Sequence, residues 1–258
     1  IGCNLSWEDV RFKTEHMAET ALTGMFDNNE VASAYTPEFT NIGSFEKCWR
    51  FNGKEWFLVK EANPLAMFSE IFIKELGASF NYDMASYVKY SNNYIATKDF
   101  TESNKYNFEP ISALTDDEED YKNVINILSN FGLDFVRDYL KLVFMDALIQ
   151  NPDRHGFNLG ILRDANTGEV LRLAPNYDNN LALISRGYPK TMPNKNNRLI
   201  KDFVDVALNN SLFNLPFMSR EKLFNLVDTV STEAGVSVEI DFVIDYIMNN
   251  YQIIKNML

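Results

Sequence analysis

Cysteine and histidine are scarce in this chain of 258 residues, and their scarcity excludes several classes of site. The two cysteines are Cys3 and Cys48, and the two histidines are His16 and His155. Two cysteines cannot form the disulfide framework of a small secreted domain, and a zinc site needs more ligands grouped closely together. The composition therefore predicts a reducing, cytoplasmic compartment.

Positive charge and long apolar runs are also in short supply. The chain has 24 Lys and Arg against 36 Asp and Glu, a formal net charge of −12. Nucleic-acid binding usually relies on a basic surface that contacts phosphates, so we expect no direct nucleic-acid binding. No apolar run approaches the roughly 20 residues of a membrane-spanning helix, so no membrane span is expected. A small basic pocket for a nucleotide remains compatible with this composition.

Turn signals divide the first hundred residues into a small sheet and one long helix. Asn52-Gly53 predicts a hairpin between strands at 46–51 and 55–60, and Asn92-Asn93 lies between a second pair of strands. Proline at the start and glycine after the end predict a helix over Pro64–Leu76. Ser6 also predicts the cap of a helix over 7–25.

The pattern becomes mainly helical after residue 110. Thr115 and Glu118 form a capping-box pattern, and a strongly apolar helix is predicted over 133–150. The turn "DANTG" joins two further strands, and the remaining predicted helices are 199–209, 219–232 and 238–257. We therefore predict a bilobal α+β fold, with a β-rich N-terminal lobe over 1–99 and a helical C-terminal lobe over 100–258. The segment 99–112, polar and irregular in pattern, is expected to join them.

The stretch "NPDRHGFN" at 151–158 directly follows the apolar helix and carries the strongest chemical signal. Asp153 and Asn158 lie five positions apart, and Asp178 follows the predicted hairpin. Phosphoryl transfer needs one carboxylate to orient or deprotonate a hydroxyl, and an amide oxygen with a second carboxylate to hold magnesium. A lone D-x-x-x-x-N motif is weak, but the order of helix, motif, hairpin and aspartate favours a kinase-type site.

The predicted sheet supplies a lysine for such a site. Trp56, Leu58 and Lys60 share one face of their strand, so Lys60 is expected to face inward and bind phosphate. Such a lysine needs a carboxylate partner, and the next helix offers Glu70 and Glu75. Helical periodicity places Glu75 deeper in the apolar stripe, but it does not choose between the two.

Two further segments are candidates for nucleotide contact by their position. "TNIGSFEK" precedes the first hairpin, and its small polar residues can turn backbone N–H groups toward phosphate. "YIATKDF" is expected to connect the lobes, where its backbone groups would meet the edge of adenine. The residues concerned are Ile42, Gly43, Ser44, Phe45, Glu46 and Lys47 in the first segment, and Thr97, Lys98 and Asp99 in the second.

Together, "NPDRHGFNLGIL" and "LAPNYDN" resemble the motifs of the HipA-like serine/threonine kinases. That family has an N-x-D-x-H-x-x-N loop, matched by Asn151, Asp153, His155 and Asn158. Its L-A-P-x-Y-D motif is matched by Leu173, Ala174, Pro175, Tyr177 and Asp178. The resemblance spans roughly 40–185 and rests on two separate motifs in the same order as in the family.

The resemblance implies a bilobal kinase fold that uses ATP and Mg²⁺. It makes Asp153 the catalytic base, Asn158 and Asp178 the metal ligands, and Lys60 the phosphate-binding lysine, and it favours Glu70 over Glu75. It also makes 42–47 the phosphate loop. His155 and Tyr177 join the cofactor-binding set, and His155 also the catalytic set, although a hydrogen bond from His155 to a backbone carbonyl is the preferred role.

Regulation and partners are implied less directly. Family toxins are switched off by autophosphorylation in the phosphate loop, for which Thr40 and Ser44 are the hydroxyls in this chain. An antitoxin or other regulatory partner would accompany a toxin. HipA toxins, however, have a longer N-terminal subdomain than this chain shows. The chain is therefore more similar to compact members of the family. For such a member, secretion into a host cell is an alternative to the cytoplasm. Asn179-Asn180 stands where ordinary eukaryotic protein kinases have Phe-Gly.

Two other functions fit parts of the same pattern. A phosphoinositide-type lipid kinase shares the D-R-H-x-x-N loop, but this acidic chain offers no basic patch suited to an anionic membrane. A catalytically weak nucleotide-binding module is the second alternative. The joint presence of Lys60, Asp153, Asn158 and Asp178 argues against it, since a degraded kinase would be expected to have lost at least one of them.

Overall fold

Turn residues fold the first part of the described chain into two hairpins that share one sheet. The computed structural model describes residues 47–103, 105–115 and 120–258. The strands are β1 Lys47–Phe51, β2 Trp56–Glu61, β3 Tyr87–Ser91 and β4 Tyr94–Lys98, in the order β1-β2-β4-β3, and every pair is antiparallel. The first turn forms because Asn52 Oδ1 accepts from the N–H groups of Lys54 and Glu55, and Gly53 adopts a φ of +93°. Both predicted strand pairs are confirmed.

A second antiparallel sheet lies further along the chain. Its strands are β5 Tyr106–Pro110, β6 Gly160–Asp164 and β7 Val170–Leu173, in that order. The hairpin of β6 and β7 was predicted, but the interpretation of 99–112 as irregular was wrong for β5. This short strand, "YNFEP", has little apolar alternation and ends in proline, so its sequence carries a weak strand signal. It forms because it pairs with β6.

Six α-helices complete the described residues. They are α1 Pro64–Ala78, α2 Tyr121–Ser129, α3 Leu133–Ile149, α4 Arg198–Asn209, α5 Arg220–Ala234 and α6 Ile240–Met257, and a short 3₁₀ helix covers Ile111–Ala113. Each of these six α-helices was predicted, with at least one end within a few residues of the observed one. The helix predicted over 7–25 lies outside the described residues.

Two helix termini differ from the prediction. The start of α2 is capped by Asp120, whose side chain accepts from the N–H groups of Lys122 and Asn123, so the predicted start at Thr115 was wrong. Glu118 lies outside the described residues. Gly77 lies inside the last turn of α1 and does not follow it. A Cβ at this position would collide with the Met84 side chain, so the position suits glycine for packing and not as the end of the helix.

One hydrophobic core runs from α1 through α3 to α6. It includes Phe68 and Phe72 of α1, Leu140 and Phe144 of α3, and Ile247 of α6, all buried. A smaller cluster of Cys48, Val59 and Ala96 lies on the first sheet. The mixed composition of helices and antiparallel sheets confirms the predicted α+β class. The arrangement in two lobes, 1–99 and 100–258, stays a prediction.

No helix among the residues described is long and apolar enough to cross a membrane.

Candidate active site

A buried ion pair joins the first sheet to α1. Lys60 is on β2, where the period of two turns its side chain inward, and its Nζ lies 2.6 Å from Glu70 Oε1. Glu70 is only 1% exposed, and it is therefore the carboxylate that faces the lysine. Glu75 is partly exposed and pairs with Lys74 on the same helix. The prediction from periodicity that Glu75 lies deeper than Glu70 was wrong, because more than one face of α1 is buried.

Asp178 completes this ion-pair cluster from a distant part of the chain. Its Oδ1 lies 3.0 Å from Lys60 Nζ, although 118 positions separate the two residues. The Asp178 N–H donates to the hydroxyl of Tyr87 at 2.9 Å, and the next N–H, of Asn179, donates to Glu70 Oε2 at 3.2 Å. The backbone at Asp178 has a φ of +55°, which is uncommon for a residue other than glycine. These contacts hold the carboxylate against the lysine in a sparsely populated conformation.

Burial and mutual attraction set the charges of this cluster. Burial disfavours the charged lysine, but Glu70, Tyr87 and Asp178 outweigh it, so the pKa of Lys60 is raised well above its ordinary 10.5. Burial also disfavours the Asp178 carboxylate, but Lys60 outweighs it and lowers the pKa of Asp178. For Glu70, burial is stronger than the attraction to Lys60, and its pKa is raised. The lysine is therefore charged at neutral pH and faces an ionised Asp178.

The predicted catalytic loop is braced by its own residues. It follows α3 through Gln150, which adopts a φ of +56°. Asn151 is fully buried, and its Oδ1 accepts from the Asp153 N–H at 3.1 Å. Asn158 Nδ2 donates to the Asp153 carbonyl at 3.0 Å. The backbone on both sides of Asp153 is thus fixed, while its half-buried carboxyl group takes no part in these bonds.

His155 is exposed and makes a local contact. Its Nδ1 accepts from the Phe157 N–H at 3.2 Å, so its partner is a backbone donor and not the carbonyl acceptor that the sequence suggested. Tyr177 also contacts Phe157: its hydroxyl donates to the Phe157 carbonyl at 2.5 Å. The Tyr177 ring packs 5.3 Å from that of Phe100 and 5.9 Å from that of Phe108. His155 and Tyr177 therefore both fix the shape of the loop.

Arg154 is the least expected residue of this loop, since arginine side chains are mostly exposed in folded proteins. Its side chain is 4% exposed, and its Nε and Nη2 each lie 3.0 Å from one oxygen of Asp146 on α3. Burial disfavours the guanidinium charge, but Asp146 outweighs it and raises the pKa of Arg154. The arginine is therefore a buried, paired residue of the site's interior.

Of the first candidate nucleotide-binding segment, 42–47, the structure describes Lys47. Lys47 begins β1 close to the ion-pair cluster: burial lowers the pKa of Lys47, with an opposing contribution from Asp178 and a further lowering from Lys60. The other phosphate-loop residues, 42–46, and Thr40 lie outside the described residues.

The segment Thr97–Asp99 is less open to adenine than predicted. The N–H of Lys98 donates to Ser86 and that of Asp99 to Trp56, so those donors are already used. The Lys98 side chain pairs with Glu55 at 2.5 Å. A nucleotide base at this segment would have to use carbonyl oxygens or side chains. One side-chain candidate is the buried hydroxyl of Thr97, which has no hydrogen-bond partner within the described residues.

The residues predicted to hold Mg²⁺ have suitable chemistry. Asn158 uses its Nδ2 as a donor within the loop, which leaves its Oδ1 as an acceptor for a cation. Asp178 supplies an ionised carboxylate whose side chain is 33% exposed. Among the described residues no three His, Cys, Asp or Glu side chains group to hold a metal. Mg²⁺ commonly takes one or two protein oxygens together with phosphate and water, so this donor set fits it.

Four residues of the site were missed by sequence reasoning: Tyr87, Asp146, Asn176 and Asn179. The Oδ1 atoms of Asn176 and Asn179 accept from Arg154 Nη2 at 2.8 and 2.9 Å, so with Asp146 they form a network around Arg154. An acid within the apolar run "LVFMDALI" is the signal that could have identified Asp146, because a buried carboxylate needs a cationic partner. The other three are contacts made by the fold and had no comparable signal.

A small cleft of about 60 Å³ lies apart from the ion-pair cluster. Its lining includes the pairs Asp83–Arg172 and Asp138–Lys141, and it shares only Asn176 with the network around Arg154. None of the predicted site residues lines it. Its charges are already balanced, so it is a poor candidate for a triphosphate site.

Comparison with solved structures identifies the fold. The chain is similar to the Helicobacter pylori proinflammatory kinase CtkA, with a TM-score of 0.52 and 18% identity over 82% of this chain and 89% of that one. It is also similar to HipA of Shewanella oneidensis MR-1, from a toxin–antitoxin complex with HipB and operator DNA. There the TM-score is 0.52 and the identity 13%, over 94% of this chain and 70% of that one. No protein-family model matches the sequence, and no curated protein sequence does.

Identities this low show the fold alone. The resemblance to the HipA-like kinases is therefore confirmed for the fold: the described residues adopt the mixed α/β, kinase-like architecture of CtkA and HipA.

Proposed function

We propose that this protein is an ATP- and Mg²⁺-dependent serine/threonine protein kinase of the HipA-like type. The observation that carries the proposal is the convergence of Lys60 on Glu70 and Asp178, at 2.6 and 3.0 Å. A buried lysine held by one glutamate and facing one aspartate is the arrangement that kinases use to bind nucleotide phosphates and metal. The kinase-like fold supports the same conclusion.

Each predicted residue then has a role. Lys60 binds the phosphates of ATP, and Glu70 orients the lysine. Asn158 and Asp178 hold Mg²⁺, which when bound neutralises the phosphate oxygens. Residues 42–47 cover the phosphates, and residues near Thr97–Asp99 contact the base. The chain is arranged in two lobes, 1–99 and 100–258, with the nucleotide between them.

In the proposed transfer Asp153 accepts the proton of the acceptor hydroxyl. The hydroxyl oxygen forms a bond to the γ-phosphorus while the bond between that phosphorus and the β–γ bridging oxygen breaks, so ADP leaves and the acceptor becomes a phosphoester. General-base assistance of this kind typically contributes about 10²–10⁴-fold to the rate. The bonds to the N–H and carbonyl of Asp153 fix the backbone from which its carboxyl group projects.

The acceptor is proposed to be a protein. The D-R-H-x-x-N loop would also suit a phosphoinositide-type lipid kinase, but a net charge of −12 is unfavourable for docking on an anionic membrane. The HipA structure contains HipB and DNA. By analogy an antitoxin-like regulatory partner is proposed for this chain, whereas the absence of direct nucleic-acid binding stays a prediction.

The direct test is transfer of labelled phosphate from ATP. Wild-type protein and Asp153→Ala are incubated with γ-labelled ATP, Mg²⁺ and a cell lysate, and labelled sites are identified by mass spectrometry. We expect label on serine or threonine with wild type and a loss of at least about 100-fold in the variant, while ATP binding is retained. Asp138→Ala is the control, because that α3 aspartate is half-exposed and its ion-pair partner among the described residues is Lys141.

Each alternative predicts a different outcome. Label in the lipid fraction would identify a lipid kinase. Transfer at a near-wild-type rate by Asp153→Ala would show that another group is the base. Thermal stabilisation by ATP and Mg²⁺ without any transfer, unchanged in Asp178→Ala, would identify a nucleotide-binding module.

A further inference from the structure

Arg154 makes an unusual number of contacts for a residue to which the proposed reaction gives no role. Its buried guanidinium takes part in six hydrogen bonds. Two go to the carboxylate of Asp146, which balances the charge. The other four bonds satisfy the remaining N–H groups of the buried guanidinium, and the position of their acceptors shows which segments the side chain joins.

Those four bonds tie together two loops. Nη1 lies 2.7 Å from the carbonyl oxygen of Asn158 and 2.7 Å from that of Tyr177. Nη2 lies 2.8 Å from Asn176 Oδ1 and 2.9 Å from Asn179 Oδ1. One side chain on the catalytic loop thus holds that loop to both sides of Asp178.

The two carbonyls bound by Nη1 belong to residues that matter for metal binding. Asn158 is itself a proposed ligand, and Tyr177 directly precedes the other ligand, Asp178. Because both carbonyl oxygens contact the same nitrogen, the backbones of the two ligands are held at a fixed separation. A lysine ammonium could not replace this contact, since it lacks the planar fork that reaches a carboxylate and two carbonyls at once.

We propose that Arg154 is a positioning residue that sets the separation of Asn158 and Asp178, and thereby the Mg²⁺ requirement of nucleotide binding. This inference rests on the proposed function, because it takes Asn158 and Asp178 as the Mg²⁺ ligands. Groups that orient metal ligands without touching the metal typically change metal affinity by about 10–100-fold when they are altered. A purely structural role would instead lower stability and weaken nucleotide binding with and without metal alike.

The test is isothermal titration of ATP into wild type and Arg154→Lys over a range of Mg²⁺ concentrations and in EDTA. For Arg154→Lys we expect the Mg²⁺ concentration for half-maximal enhancement of ATP affinity to rise about 10-fold, while affinity in EDTA stays within about twofold. Arg172→Lys is the matched control. That arginine pairs with one aspartate at the surface, and its replacement should change neither quantity.

Asn176→Ala provides a second, milder test in case Arg154→Lys does not fold. It removes one uncharged acceptor of the guanidinium and leaves the pair with Asp146 intact, so we expect a rise of about threefold in the same Mg²⁺ requirement. An unchanged Mg²⁺ requirement in folded Arg154→Lys, or in Asn176→Ala if Arg154→Lys does not fold, would overturn the positioning role. So would an equal loss of affinity with and without Mg²⁺. If wild type itself shows no Mg²⁺-dependent ATP binding, the proposed function fails instead.

Discussion

Lys60 is the residue on which the energetics of the site depend most. It is buried between one carboxylate that is almost wholly inaccessible and a second that is partly exposed. Removing water from such charges is costly, and only their pairing offsets the cost. The lysine is therefore important for stability as well as for its proposed role in binding phosphate.

Replacing Lys60 by Met should destabilise the protein by about 3 kcal/mol, because Glu70 is left buried beside Asp178 without a cation. Glu70→Gln should cost less, since Lys60 keeps Asp178 as its partner. The measurement is urea unfolding in the presence of EDTA. Lys98→Ala is the control: its pair with Glu55 is exposed to solvent, so little change in the free energy of unfolding is expected. Equal losses in all three variants would contradict the described cluster.

At this scale the sequence predicted some site residues and missed others for physical reasons. Strand alternation was sufficient to turn Lys60 inward. It was not possible to choose Glu70 over Glu75 by periodicity, since α1 buries more than one face. Arg154 could not be placed, because an arginine is usually exposed and its buried partner Asp146 is in another element.

Helix α1 is the element that presents Glu70 to the sheet, and its start is fixed by Asn63. The Asn63 side chain accepts from the Ala66 N–H at 2.9 Å, and its Nδ2 reaches the Ser185 carbonyl at 3.3 Å. The cap therefore stabilises the helix and also ties it to the chain that follows Asp178.

Asn63→Ala should lower the free energy of unfolding by about 1 kcal/mol and also weaken ATP binding. Asp120→Ala removes the equivalent cap of α2, far from Lys60 in sequence, and should cost a similar amount of stability without weakening ATP binding. Chemical denaturation and calorimetric titration of both variants would check this. Equal effects of the two variants on ATP affinity would argue against a role of α1 in the site.

Element boundaries followed from the sequence wherever a local signal fixed them. Asn52-Gly53 and proline at the start of α1 act within a few residues, and both were read correctly. Strand β5 depends on pairing with β6, about fifty positions further along, and the start of α2 depends on Asp120 and not on the nearby capping-box pattern. Pairing between distant segments is decided by tertiary structure, which local patterns do not contain.

At the scale of the whole molecule, tyrosines buried in the core contribute to how stability responds to alkaline pH. Burial raises the pKa of Tyr121 and of Tyr246 to about 12, from an ordinary 10.0. Above about pH 10 an unfolded chain loses these protons, whereas the folded chain keeps them. Their contribution to stability is thus complete below pH 10 and is lost as the pH rises through about 12.

We therefore expect the free energy of unfolding to fall between pH 10 and pH 12, and Tyr246→Phe to lessen that fall. Tyr90→Phe is the control, because Tyr90 is 48% exposed. Urea unfolding at several alkaline pH values, together with tyrosinate absorbance, would measure both. A fall of the same size in Tyr246→Phe and wild type would contradict the burial argument.

The measurement that tests the account most directly is the binding of ATP, with Mg²⁺ and with EDTA, to wild type, Asp153→Ala and Asp178→Ala. If Lys60, Asp153 and Asp178 serve one triphosphate, Asp153→Ala should bind ATP nearly as wild type does while losing transfer, and Asp178→Ala should lose the Mg²⁺-dependent part of its affinity. Full Mg²⁺-dependent affinity in Asp178→Ala, or the absence of ATP binding in wild type, would contradict the account.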